Sequence, residues 1–359
     1  MKYASSPRPC CVSSYQNRIF LDSVLFAIGA LLVAWMGAAW AADASTPLVF
    51  RISTENTASH VQTRVVQRFA DTLARRSQGR LVVEFKHSAQ LFRDQDVIRA
   101  LHQGKVDMAV VGTWQLDRYD PYVSVLMLPM FFCLEAADHY RVRDGPVGQL
   151  ISAHLQESLQ VVVPGRWIDL GHAHFYATGA AVAGYPDMAG LRIRIAGGEA
   201  IAAQMVAVGA VPVVVAWPDL PASLQRGRLD GLLTTHETIA SAQLWQHGIR
   251  NATEIKAYFA QYIPLISRNY WNQLQGDLRA MVQDSWESGV TQARLEAAQA
   301  QSAARRTLEA HGVRVQQPSK EAMQAWRQRG LAAQGAIAQQ LGVPETLINQ
   351  AQQALLQTP

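Results

Sequence analysis

The sequence is poor in cysteine, in charge and in catalytic signatures. Three cysteines occur in 359 residues, and two of them, Cys10 and Cys11, sit near the start. Cys133 stands alone beyond them, so no internal disulfide can staple the body of the chain. Its expected role is that of a small buried hydrophobe. Charged residues make up only 17% and the formal net charge is +4, too small a bias to argue for nucleic acid or an anionic membrane surface. After residue 41 no stretch reaches the roughly 20 consecutive apolar residues that a spanning helix needs. No G-x-S-x-G elbow, phosphate loop or dinucleotide glycine pattern is present. What remains is an ordinary globular composition, 49% hydrophobic, long enough for two domains.

The N-terminus carries the parts of a secretory signal. Lys2, Arg8 and Arg18 precede an apolar run at residues 24–37, followed by Ala38-Ala39-Trp40-Ala41. Residues 1–41 are therefore expected to be a signal peptide cleaved after Ala41, which implies a periplasmic protein. A retained anchor is the competing reading, and the short run argues against it. Removing these residues leaves 29 basic against 27 acidic residues, a charge of +2.

Residues 101–112 (LHQGKVDMAVVG) return at 224–235 (LQRGRLDGLLTT). Each copy reads as a helix end, a glycine cap, a basic turn, an aspartate and a buried strand. One such module in each half suggests two similar α/β lobes with a cleft between them. Residues 48–53 alternate as a strand, and Val61, Val65, Phe69 and Leu73 mark a helix face. Gly79 ends that helix, residues 81–85 form the next strand, and Asp94 opens a helix that runs to Gly104. This is the pattern of a parallel sheet with helices on its faces. In the second half, Leu191, Ile193 and Ile195 mark a strand, Ile201, Met205 and Val208 a helix, and residues 211–215 a strand. Residues 277–311 form one long helical stretch that Gly289 could bend, and Ser319 and Pro344 start two more helices. The expected organisation is lobe 1 at 42–166, completed by part of 255–359; lobe 2 at 167–254; and a C-terminal crossover strand and helices at 255–359 packing on both.

In open α/β sheets, ligands lie beyond the carboxyl ends of the strands. That rule selects Thr54, Glu55 and Asn56; Thr113 and Trp114; Gly197 and Gly198; Trp217; and Thr234, Thr235, His236 and Glu237. Arg194 is the sharpest residue, near the end of an apolar strand and just before the glycine pair. Two roles are open to it. Its planar fork could take a carboxylate by two parallel hydrogen bonds, or it could pair internally with Glu199 or Asp219. Arg192 lies further from the cleft and reads as structural. His172 and His174 have no cysteine or carboxylate cluster to complete a metal site. His236-Glu237 starts like a zinc-protease helix, but Ala240 stands where the second histidine belongs. Glu55 and Glu237 could form an acid/base pair, which would make a periplasmic enzyme acting on a small polar substrate the main alternative to a binding protein. No metal or cofactor is expected.

Three stretches together resemble a known family. Residues 187–194 (DMAGLRIR) are similar to the "D-L-x-G-L-K-I-R" strand of the solute-binding proteins of tripartite ATP-independent periplasmic (TRAP) transporters. Residues 209–217 (GAVPVVVAW), continued by Leu224-Gln225, Gly227 and Asp230-Gly231, resemble the same family. So does the course from Phe69-Ala70 through Ser77, Gly79 and Arg80 to Ala89-Gln90-Leu91. The resemblance implies a receptor without enzymatic activity, whose two lobes close over a small organic acid and deliver it to a membrane permease. A receptor feeding a sensor kinase would use the same clamp. The resemblance places the carboxylate-binding arginine on Arg194 and an aromatic contact on Trp217. Three departures bear on the ligand: Thr234 stands where the family has an asparagine, His172 and His174 follow a Trp167–Gly171 segment after which many members carry a second arginine, and Phe92 replaces a usual glycine. These departures point away from the simplest dicarboxylates.

Overall fold

The computed structural model describes Met1, residues 46–183 and residues 185–357. The expected signal peptide, with Cys10 and Cys11, lies outside the described residues apart from Met1. The body that follows, from Leu48 onward, forms a unit of its own. Its helices and strands alternate as the hydrophobic periodicity predicts for most of the first and second halves.

The first half runs β1 (Leu48–Ser53), α1 (Val61–Arg76), β2 (Leu81–Lys86), α2 (Asp94–His102) and β3 (Met108–Gly112). Four helices follow: α3 (Thr113–Leu116), α4 (Pro121–Ser124), α5 (Ala136–Arg143) and α6 (Pro146–Ser158). Then come β4 (Val161–Val162) and β5 (Ile168–Ala177). The second half holds β6 (Arg192–Ile195), α7 (Glu199–Ala207), β7 (Val211–Val214), α8 (Leu220–Gln225), β8 (Gly231–Thr234) and α9 (His236–Ser241). The chain closes with β9 (Asn251–Ser267), α10 (Arg268–Gln273), α11 (Gly276–Ala310), β10 (Arg314–Gln316), α12 (Lys320–Leu341) and α13 (Glu345–Leu356).

Among the described residues the strands form one sheet in the order β2-β1-β3-β9-β5-β8-β6-β7, with β4 and β10 attached to β9. Each end is parallel as expected: β1 pairs with β2 and β3, and β6 with β7 and β8. The middle is antiparallel, which the alternating pattern did not announce. β9 runs for 17 residues and pairs antiparallel with β3 near its end and with β5 along most of its length. It is buried almost throughout, so it shows no polar alternation to betray it. β5 and β9 thereby join the two parallel halves.

The helix α11 is continuous for 35 residues, about 50 Å at 1.5 Å per residue. Gly289 does not interrupt it. Its first part buries Val282, Trp286 and Val290 with Phe69 of α1, and its last part buries Ala304 and Leu308 with Tyr176 and Leu232. The Trp286 indole donates to the Arg166 carbonyl at 2.8 Å. One helix is thus packed against both halves. Among the described residues, no helix is long and apolar enough to cross a membrane.

Gly231 shows how tightly β8 and β5 meet. A Cβ there would lie 2.5 Å from the Tyr176 carbonyl oxygen and 2.6 Å from the Phe175 ring. Gly231→Ala is therefore expected to destabilise the fold by about 1–3 kcal/mol through overpacking, read as a lowered urea midpoint. An unchanged midpoint would contradict this close approach.

Candidate functional site

The carboxyl ends of the parallel strands converge on one narrow cavity of about 30 Å³. β1 delivers Glu55 and Asn56, the turn after β3 delivers Trp114, β6 carries Arg194, β7 leads to Trp217, and β8 ends in Thr234 and Thr235. β9 adds Tyr258 and Tyr262 from one face of the strand, four residues apart, and α2 adds Asp94. The cavity therefore lies where the two parallel ends of the sheet meet across β9 and β5.

Arg194 is only 2% exposed. Its Nε donates to the Val215 carbonyl at 3.0 Å, and its guanidinium lies 5.8 Å from the centre of the Trp217 ring. No carboxylate among the described residues forms an ion pair with it. The internal partners that the sequence left open are engaged elsewhere or apart: Asp219 pairs with Arg93 at 2.7 Å, and Glu199 lies in the first turn of α7. Among the described residues the structure gives the Arg194 Nη groups no hydrogen bond, and the residue lines the cavity. Burial depresses its pKa to about 10, while the nearby Glu55 charge works the other way. Arg192, by contrast, is bound to Asp230 at 2.7 Å at the far end of the strand.

Two carboxyl groups share this cavity with the guanidinium. Glu55 is buried, and its Oε1 has no hydrogen-bond partner. Burial raises its pKa, partly offset by the Arg194 charge and the Asp94 backbone amide. Asp94 is pushed well above the usual carboxylate range by burial, with the Glu55 charge adding to the effect. Asn56 is held by its neighbours: its Nδ2 donates to the Tyr262 hydroxyl at 2.9 Å and to Gln62 Oε1 at 3.0 Å. Trp114 stacks edge-on against Tyr262, centroids 5.3 Å apart. Thr235 caps α9, accepting the Thr238 N–H at 3.3 Å.

Not every candidate reaches the cavity. His236 points to the other side of its helix start, between the Tyr176 hydroxyl at 2.8 Å and Glu254 at 3.0 Å. Glu237 accepts the Val61 backbone N–H at 2.8 Å and its Oε2 lies 3.0 Å from His60 Nε2, so it closes the N-terminus of α1 and does not line the cavity. His172 donates from Nε2 to the Leu134 carbonyl at 2.9 Å, and burial lowers its pKa to about 4. The expected acid/base pair is therefore split: Glu55 lines the cavity and Glu237 does not. Among the described residues no group of three histidine, cysteine or acidic side chains could hold a metal. The sequence reading missed Asp94, Thr238, Tyr258 and Tyr262. Asp94 carried only a helix-start signal, and the tyrosines lie on the expected crossover strand, whose burial on both faces left no signal for which residues line the cavity.

Polar contacts tie the two halves together around the cavity. Besides Arg93–Asp219 and Glu237–Val61, the Gln115 amide donates to the Ala196 carbonyl at 2.8 Å. Asp117 reaches across to accept the Ala200 backbone N–H at 2.9 Å, capping the first turn of α7. Gly198 makes room for this, because a Cβ there would lie 2.7 Å from the Trp114 carbonyl oxygen. Gly198 also has φ +94°, a conformation that L side chains rarely adopt.

Burial pushes the Asp117 carboxyl up to about 6 from 3.8, against the Ala200 amide, which pulls it down. A raised folded-state pKa means the fold favours the protonated form. The resulting stability is present in acid and is lost as pH rises from about 4 through 6. Relative to Asp117→Asn, the wild type is expected to lose about 3 kcal/mol across that window, measured by urea unfolding at a series of pH values. A difference that stays constant with pH would contradict it.

The model of the DctP family, described as bacterial extracellular solute-binding protein, family 7, matches residues 52–338. A C4-dicarboxylate-binding periplasmic protein DctP of Shewanella loihica is 24% identical over 75% of this chain and 76% of its own length. A solute-binding protein of Chromohalobacter salexigens is 25% identical over 51% of this chain and 54% of its own. The chain spans about half the length of several curated relatives it matches. Among solved structures, a TRAP periplasmic solute-binding protein of Ralstonia eutropha with bound (S)-2-acetolactate superposes with a TM-score of 0.79 at 21% identity, covering 86% of this chain and 98% of that one. One of Xanthobacter autotrophicus with bound β-D-galacturonate gives 0.77 at 21% identity, covering 86% and 100%. These likenesses establish the two-lobed α/β fold with its long C-terminal helix, and with the family match over most of its length the chain belongs to the DctP family of bacterial extracellular solute-binding proteins.

Proposed function

We propose that the protein is the extracytoplasmic receptor of a TRAP transporter, which binds a small organic acid between its lobes and hands it to a membrane permease. In this reading residues 1–41 direct export and are removed, the lobes divide near residues 166 and 254, and β5 and β9 carry the hinge. One observation supports it above the others: a buried arginine that lines a cavity at the strand ends and whose hydrogen bond among the described residues is a single one, to a backbone carbonyl. Solved relatives carrying acetolactate and galacturonate add support.

The clamp works through the local dielectric. With the lobes apart, water solvates Arg194. Closure brings the acid and the guanidinium into a space where two charges 4 Å apart attract by about 4 kcal/mol, against about 1 kcal/mol in bulk water. Closure without an acid leaves the guanidinium desolvated and unmatched, which is costly. The ligand shifts the equilibrium by its better fit to the closed form.

The charge in the cavity also selects. Glu55 and Asp94 line the same space as Arg194, and burial pushes both toward their neutral forms, so a second carboxylate on the ligand would find two carboxyl groups there and no second cation. A monoacid bearing hydroxyl groups would instead give the unpartnered Glu55 Oε1 the donor it lacks. The preferred ligand is therefore a hydroxylated monocarboxylate, with Trp217 and Trp114 packing against its carbon skeleton.

A thermal-shift screen of hydroxy acids, sugar acids and dicarboxylates tests the receptor reading. A ligand at 100 times its Kd adds about 2.7 kcal/mol of stability. Arg194→Ala is expected to remove that shift while leaving a cooperative unfolding transition, and Arg194→Lys to fail nearly as badly because an ammonium lacks the fork. Undiminished binding by Arg194→Ala would refute the anchoring role, and stronger shifts with dicarboxylates than with monoacids would refute the selection by Glu55.

A further inference from the structure

A second and larger cavity, of about 560 Å³, lies on the far side of elements that wall the first. Its size is that of a small-molecule site. At the start of α9, Thr234, Thr235 and Thr238 line the first cavity while His236 lines the second. On β9, Tyr258 lines the first and Lys256 the second.

The second cavity carries an excess of positive charge. Lys256, Arg305, Lys320 and Arg327 line it against Glu135 and Glu254. Both acids are already used: Glu135 pairs with Lys256, and Glu254 with Arg305 and His236. Arg327 donates to the Phe132 carbonyl, and neither it nor Lys320 forms an ion pair among the described residues. The helix α12 starts at this wall. Ser319 caps it by accepting the Ala322 N–H, and the positive end of its 22-residue dipole adds to the field.

His174 supplies a specific donor. It is 7% exposed, and its Nδ1 accepts the Lys256 backbone N–H at 3.3 Å. A neutral imidazole that accepts at Nδ1 carries its proton on Nε2, and burial keeps the ring neutral. Among the described residues that Nε2–H has no hydrogen-bond partner, and His174 belongs to the cavity wall. The backbone around it is unusual as well. Lys256 and Cys133 both line the cavity, both have left-handed φ values (45° and 61°), and the Cys133 N–H donates to the Lys256 carbonyl at 3.2 Å. Strain of this kind persists only where the surroundings hold it, and it gathers at functional sites. The β5–β9 register shifts at the same place.

We propose that this cavity is a second binding site, for a small polyanion bearing carboxylate or phosphate groups, held by Lys320, Arg327 and the His174 Nε2–H beside the N-terminus of α12. Calorimetric titration of the protein with citrate and, separately, with pyrophosphate tests it and tells the two chemistries apart. At least one probe is expected to bind at a single saturable site and to bind equally to Arg194→Ala. Lys320→Gln combined with Arg327→Gln is expected to weaken it at least tenfold without changing acid binding in the first cavity. Lys320→Glu, at an exposed first-turn position that leaves the packing intact, is expected to act in the same direction. Absence of saturable binding by either probe, loss of it in Arg194→Ala, or indifference to the Lys320 and Arg327 substitutions would each overturn the site.

Discussion

A charged guanidinium held out of water is the constraint that organises this protein. Arg194 is buried in the body of a sheet, with one backbone carbonyl, one indole face and no internal ion pair to compensate it. Such a group is tolerable only where a counter-charge can arrive or water can reach it. Its neighbours fit that demand. Glu55 stays near enough to temper the field and is itself pushed toward its neutral form by burial. The glycines after β6 let the turn at Trp114 and the Asp117 carboxylate close over the strand end.

The remaining architecture positions that residue and controls its exposure. Parallel strands at either end of the sheet point their carboxyl ends at the same space, and the antiparallel pair β5–β9 carries the chain between them. Several contacts between the halves are polar: a carboxylate on a helix N-terminus, an arginine–aspartate pair, a glutamate on the first turn of α1 and a glutamine on a backbone carbonyl. Polar contacts of this kind exchange readily with water, whereas the apolar packing of α11 on both halves does not. The division suits a body that opens at the cavity and keeps its backing helix.

Much of this was legible in the residues. The duplicated helix–glycine–aspartate–strand module suggested two halves, the alternation around Arg194 marked its strand, and Glu55, Asn56, Trp114, Trp217 and Thr234, which the carboxyl-end rule selected, line one cavity. The failures have physical causes. A crossover strand was expected at the start of 255–359, but β9 is buried on both faces, so no exposed-polar period marked Tyr258 and Tyr262 as the residues that line the cavity. His236 and Glu237 follow Thr235 directly, but a helix turns each successive side chain by about 100°, which carries one to the back of the sheet and the other to α1. His172 and His174 sit on a strand whose neighbours satisfy or bury them. Their meaning depended on a pairing partner that local sequence does not name.

The central claim is that Arg194 meets the carboxylate of the bound acid inside the closed cavity. A crystal structure of the protein with the ligand that gives the largest thermal shift tests this most directly. The account predicts two roughly parallel N–H···O contacts of about 2.7–2.9 Å between the Arg194 Nη groups and one carboxylate, with the Val215 contact retained at Nε. A ligand carboxylate seated elsewhere, with Arg194 still bound only to the Val215 carbonyl, would contradict it.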